Sequence, residues 1–222
     1  MCGRFTLTFS AEELAEAFEL DEVPASFPPR YNIAPSQPIA AVLKTIEHPV
    51  RHLSLLRWGL IPSWSKDPAI GNRLINARAE TVAEKPSFRT AFKRRRCLIP
   101  ASGFYEWQKQ ERGKQPFYFH LKRKQPFAFA GLWETWQDIP TGTIITTEAN
   151  QLSQPIHDRM PVILKPQDYE EWLEPNNQNI AELQSLLKPF LSEEMEIYPV
   201  SNQVNNPAND SSECIVEAED RG

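Results

Sequence analysis

Twenty prolines against eight glycines limit what this 222-residue chain can become. Proline fixes φ and removes a backbone donor, so it interrupts helices and central strands alike. Many short elements with stiff connections are expected, and few long helices. Alternation predicts a strand at Arg4–Phe9, and further short strands are read at Ile39–Lys44, Val50–Arg57, Leu74–Ala79, Cys97–Pro100, Thr143–Thr147, Met160–Leu164, Glu196–Val200 and Cys214–Val216. Phe104–Gln108, Pro116–Leu121 and Phe127–Trp133 read as an antiparallel meander, with turns at Arg112-Gly113 and near Lys124. Pro24, Pro28 and Pro29 predict an extended loop.

Helices are fewer. Ser10 with Glu13 is a capping-box pattern that opens a helix over Ala11–Glu19. Ser87–Arg95 places Phe88 and Phe92 four apart on one face. Asp168–Leu173 and Ile180–Leu187 complete the set, the last with a stripe of Ile180, Leu183, Leu186 and Leu187. Without a βαβ alternation, repeat or linker, the reading is one α+β domain over residues 1–222, built on a curved antiparallel sheet with a few short helices. Its core spans about residues 2–200, and residues 201–222 form a polar C-terminal tail.

The formal net charge of −5 argues against a general nucleic-acid binder, so any anion-binding surface must be local. No apolar run is long enough to span a membrane, and Met1-Cys2-Gly3-Arg4-Phe5 lacks the apolar segment of an export signal. Cys2, Cys97 and Cys214 are odd in number, widely spaced and without a C-x-x-C pair. That argues against a disulfide framework and a zinc site, and the expectation is a reduced, cytoplasmic, monomeric protein without metal or cofactor.

Familiar catalytic motifs are absent; isolated polar residues in apolar settings remain. If Met1 is removed, Cys2 carries an α-amine and a thiol on one residue. With ordinary pKa values of roughly 8 and 8.5, both are partly activated near neutrality. Such a 1,2-aminothiol converts an aldehyde first to an imine and then to a thiazolidine. The alternative is a small residue entering the first strand. Glu106, in Gly103-Phe104-Tyr105-Glu106-Trp107, is either an acid–base carboxylate raised by aromatic surroundings or a residue on a solvated strand face. His157, in Ile156-His157-Asp158-Arg159-Met160-Pro161, is either a proton carrier or an exposed loop histidine. His48, His52 and His120 are read as surface residues. Asn76 is a polar residue in a strand-like segment, pointing into a pocket or satisfying backbone. Lys93-Arg94-Arg95-Arg96 reads mainly as a solvated helix end. Trp64 sits in a Pro/Ser/Lys loop, where an exposed indole is placed to stack on a base.

Met1–Phe5, Tyr31-Asn32-Ile33-Ala34-Pro35, Leu56–Pro62, Ile75–Glu80, Gly103–Trp107 and Ile156–Pro161, taken in order, resemble the SOS response-associated peptidase (SRAP) family. The resemblance runs from Cys2 to about Val200 and implies a barrel-like sheet. It also implies a protein that senses abasic sites in single-stranded DNA and bonds covalently to the open-chain aldehyde. The matching catalytic positions are Cys2, Asn76, Glu106 and His157, and the matching DNA contacts are Arg4, Arg78, Thr147 and Arg159. Where relatives carry a tandem tryptophan as a base wedge, this chain has Trp64 followed by Ser65. An N-terminal-nucleophile cysteine peptidase or amidase, as the family name suggests, and a non-covalent single-strand-binding module are the rival readings. Zinc held by Cys2 and His157 is more remote, since two soft ligands are too few.

Overall fold

The structure, a computed structural model, describes residues 2–23, 28–111 and 113–218. Met1, Pro24 and Arg112, on which parts of the sequence reading rest, lie outside the described residues.

Strands β3 (Pro38–Leu43), β4 (His52–Trp58), β6 (Arg96–Ala101), β9 (Phe127–Trp136) and β10 (Ile139–Glu148) close a five-stranded barrel. Around the ring β10 pairs β4, β4 pairs β3, β3 pairs β6, β6 pairs β9 and β9 returns to β10. An odd-numbered ring cannot alternate strand direction all the way round. One parallel seam is therefore unavoidable, and it falls at β4–β10, where Arg57 lies opposite Thr141. Closure removes the edges that would otherwise invite further pairing.

The upper half of β10 extends beyond the barrel. It pairs there with β5 (Asn76–Arg78), Asn76 opposite Ile144 and Arg78 opposite Thr146. It also pairs with β11 (Arg159–Pro161), Thr147 opposite Met160 and Glu148 opposite Arg159. A two-residue strand β12 (Ile163–Leu164) joins β9. These pairings bring Arg78, Thr147 and Arg159 onto adjacent strands although they are far apart in sequence.

A second sheet packs on the barrel in the order β13 (Met195–Pro199), β8 (Lys114–Leu121), β7 (Gly103–Lys109), β1 (Phe5–Leu7), β2 (Arg30–Ile33). Its inner face sends Phe5 and Phe104 against Phe129 of the barrel, with ring centroids 5.7 and 6.0 Å apart, and Phe5 meets Trp58 at 5.2 Å. The predicted meander therefore breaks after its second strand. β7 and β8 pair as expected, but β8 takes β13 as its other neighbour while β9 enters the barrel. The chain between Leu121 and Phe127 crosses from one sheet to the other, and alternation within each strand is identical in both arrangements.

The helices are short. α1 (Ala11–Phe18) carries the predicted capping box: Glu13 N–H donates to Ser10 Oγ at 3.2 Å and Ser10 N–H to Glu13 Oε2 at 2.7 Å. α2 (Arg89–Arg94), α3 (Tyr169–Leu173) and α4 (Ile180–Ser185) cover the barrel. Among the described residues, no helix is long and apolar enough to cross a membrane.

Three sequence expectations are corrected. Arg96 is buried, donating to the carbonyls of Phe92 at 2.8 Å, Lys93 at 2.7 Å, Trp172 at 2.7 Å and Asn177 at 3.0 Å. It ties the ends of α2 and α3 together, and burial pulls its pKa down to about 10. His120 is buried rather than superficial, with Nδ1 2.9 Å from the Leu121 carbonyl. Cys214–Val216 is not a strand; Ser212–Ile215 forms a turn of 3-10 helix that buries Cys214.

Residues 201–218 fold back over the outer face of β7 and β8. Val204 and Cys214 bury against Tyr105 and Tyr118. Asp210 accepts from the backbone N–H groups of Tyr31 and Asn32 at 2.5 and 2.8 Å and pairs with Arg30. The outer face leaves little room at Gly103, where an added Cβ would lie 2.3 Å from Tyr118 Oη and 2.6 Å from the Phe119 carbonyl. Gly103→Ala is expected to lower the unfolding free energy by about 1–3 kcal/mol, read as a lower urea midpoint. An unchanged midpoint would mean that this contact relaxes freely.

Candidate functional site

The site is assembled from β1, β7 and the turn that precedes β11. Phe5 lies opposite Phe104 in the β1–β7 ladder, and Tyr105 N–H donates to the Arg4 carbonyl at 3.0 Å. Continuing that register carries Cys2 and Gly3 past Glu106 and Trp107. Along β7, Tyr105 and Trp107 face the C-terminal segment, whereas Phe104 and Glu106 face the interior.

Glu106 is 3% exposed, so the solvated-face alternative is excluded. Burial raises its pKa to about 7, with the charge of Asp158 acting in the same direction. A carboxyl poised there donates and accepts protons equally well at neutral pH. Cys2 is fully buried, its thiol 3.9 Å from the Arg4 carbonyl. Desolvation, then the nearby Glu106 charge, push the thiol far up, so it rests as S–H.

His157 ends a turn locked from within. Asn150 Oδ1 accepts from Ser153 N–H at 2.9 Å, Ser153 carbonyl accepts from His157 N–H at 2.9 Å, and Gln108 Nε2 of β7 donates to the Pro155 carbonyl at 3.2 Å. Two contacts compete for His157 Nδ1. Arg159 N–H lies 3.0 Å away and suits a neutral ring whose lone pair is on Nδ1, while Asp158 Oδ1 at 2.9 Å suits a protonated one. Desolvation lowers the histidine pKa, so the neutral ring and the Arg159 contact prevail at neutral pH. A ring in this position can exchange one partner for the other when it takes up a proton.

Asn76 stands on β5. Both its Oδ1 and Nδ2 are shielded from solvent without a hydrogen-bond partner among the described residues. A buried carboxamide left unpartnered is costly and calls for a reason.

The cationic residues are disposed differently from one another. Arg78 is exposed. Thr147 is buried in β10 between β5 and β11. Arg159 pairs with Glu80, Nη1 to Oε1 at 2.6 Å and Nη2 to Oε2 at 3.0 Å, and Nη2 also donates to the Thr146 carbonyl at 2.7 Å. Arg4 is engaged elsewhere, donating to Asn32 Oδ1 at 2.8 Å and to the Val204 and Asn205 carbonyls at 2.6 and 3.3 Å. Its guanidinium also lies 6.0 Å from the centre of the Trp107 ring. Trp64 is 60% exposed on a loop that Trp136 Nε1 anchors through the Ser65 carbonyl at 2.7 Å.

Two clusters result, the Cys2 thiol beside the Glu106 carboxyl, and Arg78 and Arg159 on β5 and β11 beside Thr147 of β10. The consecutive residues His157-Asp158-Arg159 join them. Asp158 and Glu80 were missed in the sequence reading. The alternation Arg78-x-Glu80 was the available signal for the second. Among the described residues no group of three or more potential metal ligands occurs.

A family model described as SOS response associated peptidase (SRAP) matches residues 1–207. The chain is 47% identical over 223 residues to Abasic site processing protein YoqW of Bacillus subtilis (strain 168), covering 97% of this chain and 99% of that protein. It is 33% identical over 227 residues to Abasic site processing protein YedK of Escherichia coli (strain K12), covering 97% and 99%. Abasic site processing protein HMCES of Xenopus tropicalis is 30% identical over 263 residues, covering 97% and 78%. A crystal structure of a protein from Bacteroides thetaiotaomicron superposes with a TM-score of 0.85 at 29% identity, covering 98% of this chain and all of that one. With a family model matching residues 1–207 and two bacterial relatives aligned over nearly their full length, this chain belongs to the SOS response associated peptidase (SRAP) family.

Proposed function

We propose that this protein senses abasic sites in single-stranded DNA and captures them as a thiazolidine on Cys2, exposed as the N-terminus by hydrolysis of the Met1–Cys2 bond. The observation that carries this reading is the enclosure of the Cys2 thiol beside a carboxyl, Glu106, whose pKa is about 7.

Glu106 takes the C1′ hydroxyl proton of the closed sugar and delivers it to the ring oxygen O4′ as the C1′–O4′ bond opens to the aldehyde. The Cys2 amine adds to the aldehyde carbon, and loss of one water, with His157 carrying the proton, leaves an imine. The thiol then adds across C=N. Its sulfur bonds to C1′ and its proton passes to nitrogen, so the ring closes without oxidant or reductant. A thiol held as S–H supports this order, amine first, and speaks against a thiol-first peptidase acting on other substrates. An imine also acidifies the neighbouring C2′ protons, so lyase-type strand cleavage is the side reaction that closure suppresses. Asn76 orients the amine and the sugar. Arg78 and Arg159 hold flanking phosphates, Arg4 and Thr147 shape the groove, and Trp64 stacks on a base. A local cationic groove on an acidic protein predicts affinity that falls as salt rises. The reaction needs no cofactor, and the protein acts as a cytoplasmic monomer.

Intact-mass measurement after mixing with an abasic single-stranded oligonucleotide tests the whole reading. The expected species is protein lacking Met1 plus oligonucleotide minus one water, with Cys2 as the attachment point. Protein and DNA recovered separately, even at high concentration, would refute it.

A further inference from the structure

We propose that Glu80 masks Arg159 in the free protein and must be displaced by a DNA phosphate. Undamaged strands are then held weakly, and covalent capture rather than tight binding decides what the protein retains. This rests on the reading above that Arg159 faces DNA.

The argument is a count of donors. A guanidinium has five N–H groups and no acceptor. In Arg159, one Nη1–H goes to Glu80 Oε1, one Nη2–H goes to Glu80 Oε2, and the other Nη2–H goes to the Thr146 carbonyl. Nε is shielded from solvent and without a partner among the described residues, so no outside phosphate reaches it in this arrangement. One Nη1–H is left. The bidentate geometry with which arginine recognises phosphate is already filled by a carboxylate. The Arg159 side chain is 14% exposed and that of Glu80 is 50%, which places the carboxylate on the solvent side of the pair. The guanidinium itself is fixed from within by Thr146, whose carbonyl also accepts from Ala79 N–H at 2.9 Å. The half-exposed glutamate is therefore the partner that can leave. Hydrogen bonding from Arg159 holds the Glu80 carboxyl below its ordinary range, so the mask stays charged at neutral pH.

An ion pair at the surface contributes little to stability, so exchanging it for a phosphate is a low barrier. The exchange does subtract from every non-covalent encounter, damaged or not. An undamaged strand cannot compensate, whereas an abasic site goes on to a covalent bond.

The test is a binding cycle with an undamaged single-stranded oligonucleotide, using wild type, Glu80→Gln, Arg159→Gln and the double variant. Thermal melts confirm that each is folded. Glu80→Gln is expected to tighten binding by roughly 2–5-fold and to steepen the slope of log Kd against log salt, because no released carboxylate then regains a counterion beside the strand. Excess undamaged strand should also inhibit crosslinking of Glu80→Gln to an abasic oligonucleotide more strongly than it inhibits wild type. In the Arg159→Gln background the gain should disappear. Equal or weaker binding by Glu80→Gln overturns the mask. An undiminished gain in the Arg159→Gln background also overturns it, because the effect would then be general charge acting on Arg78. If Arg159→Gln alone leaves DNA affinity unchanged, it is instead the assignment of Arg159 to DNA that fails.

Discussion

Cys2→Ala is expected to abolish the heat-stable adduct with abasic single-stranded DNA while leaving a transient one that borohydride reduction traps. Alanine at position 2 still offers an α-amine once Met1 is removed, so the imine forms. Without sulfur the imine cannot close, and water reverses it. The substitution deletes one buried atom group from the interior and should lower stability by about 1 kcal/mol, too little to unfold the protein. Loss of the adduct therefore reports chemistry rather than folding. Denaturing electrophoresis after heating, with and without reduction, separates the outcomes. A heat-stable band from Cys2→Ala without reductant would remove the thiol from the mechanism. Absence of the band even after reduction would place the failure earlier, at Met1 removal or at DNA binding.

Glu106→Gln should move two observables in opposite directions. Removing the buried carboxyl beside Cys2 is expected to slow adduct formation about 100-fold. The inflection near pH 7 in the wild-type rate profile, which follows from a Glu106 pKa of about 7, should vanish with it. Stability should rise. In the fold this carboxyl ionises near 7 instead of 4.5, so the native state resists giving up a proton that the unfolded chain releases readily. Below pH 4.5 both states are protonated and the group costs nothing. Stability is lost as pH climbs from there through 7, reaching a penalty of about 3 kcal/mol at pH 8. Glutamine does not ionise. Its melting temperature should match wild type at pH 4 and exceed it by roughly 6–12 °C at pH 8. An equal difference at both pH values would show that Glu106 is not the titrating group. Together the two changes describe an active-site acid kept at the expense of stability.

Local features were readable because they depend on neighbours along the chain. The α1 capping box needs only Ser10 and Glu13, three residues apart, and it formed as expected. Short strand-forming runs located β3, β4, β7 and β8 to within a few residues of their bounds. The exposed indole of Trp64 followed from its polar loop. Features that depend on who sits opposite were not readable in this way. The pattern of β8 is indifferent to whether its neighbour is β9 or β13. His120 and Arg96 carry polar groups that burial tolerates only because carbonyls of Leu121, Trp172 and Asn177 happen to face them. Cys214–Val216 is apolar enough for a strand, but nothing extended lies beside it to pair with most of it. A 3-10 turn that buries Cys214 under Tyr105 and Tyr118 is the better use of the same residues.

For the chemistry the division is similar. The chain alone offered the residue types: an aminothiol at position 2, a carboxylate among aromatics, a histidine before an arginine. Whether Glu106 stood in water or in the interior hung on which face of β7 packs against Phe129, and that is decided by sheet-on-barrel contact. Its pKa depends on burial and on Asp158, residues distant in sequence. The Glu80–Arg159 pair spans 79 positions and exists because β5 and β11 meet at Thr146 on β10. Composition and spacing determine which groups a chain carries. Dielectric surroundings and partners, which set what those groups do, arise only when distant segments exclude water together.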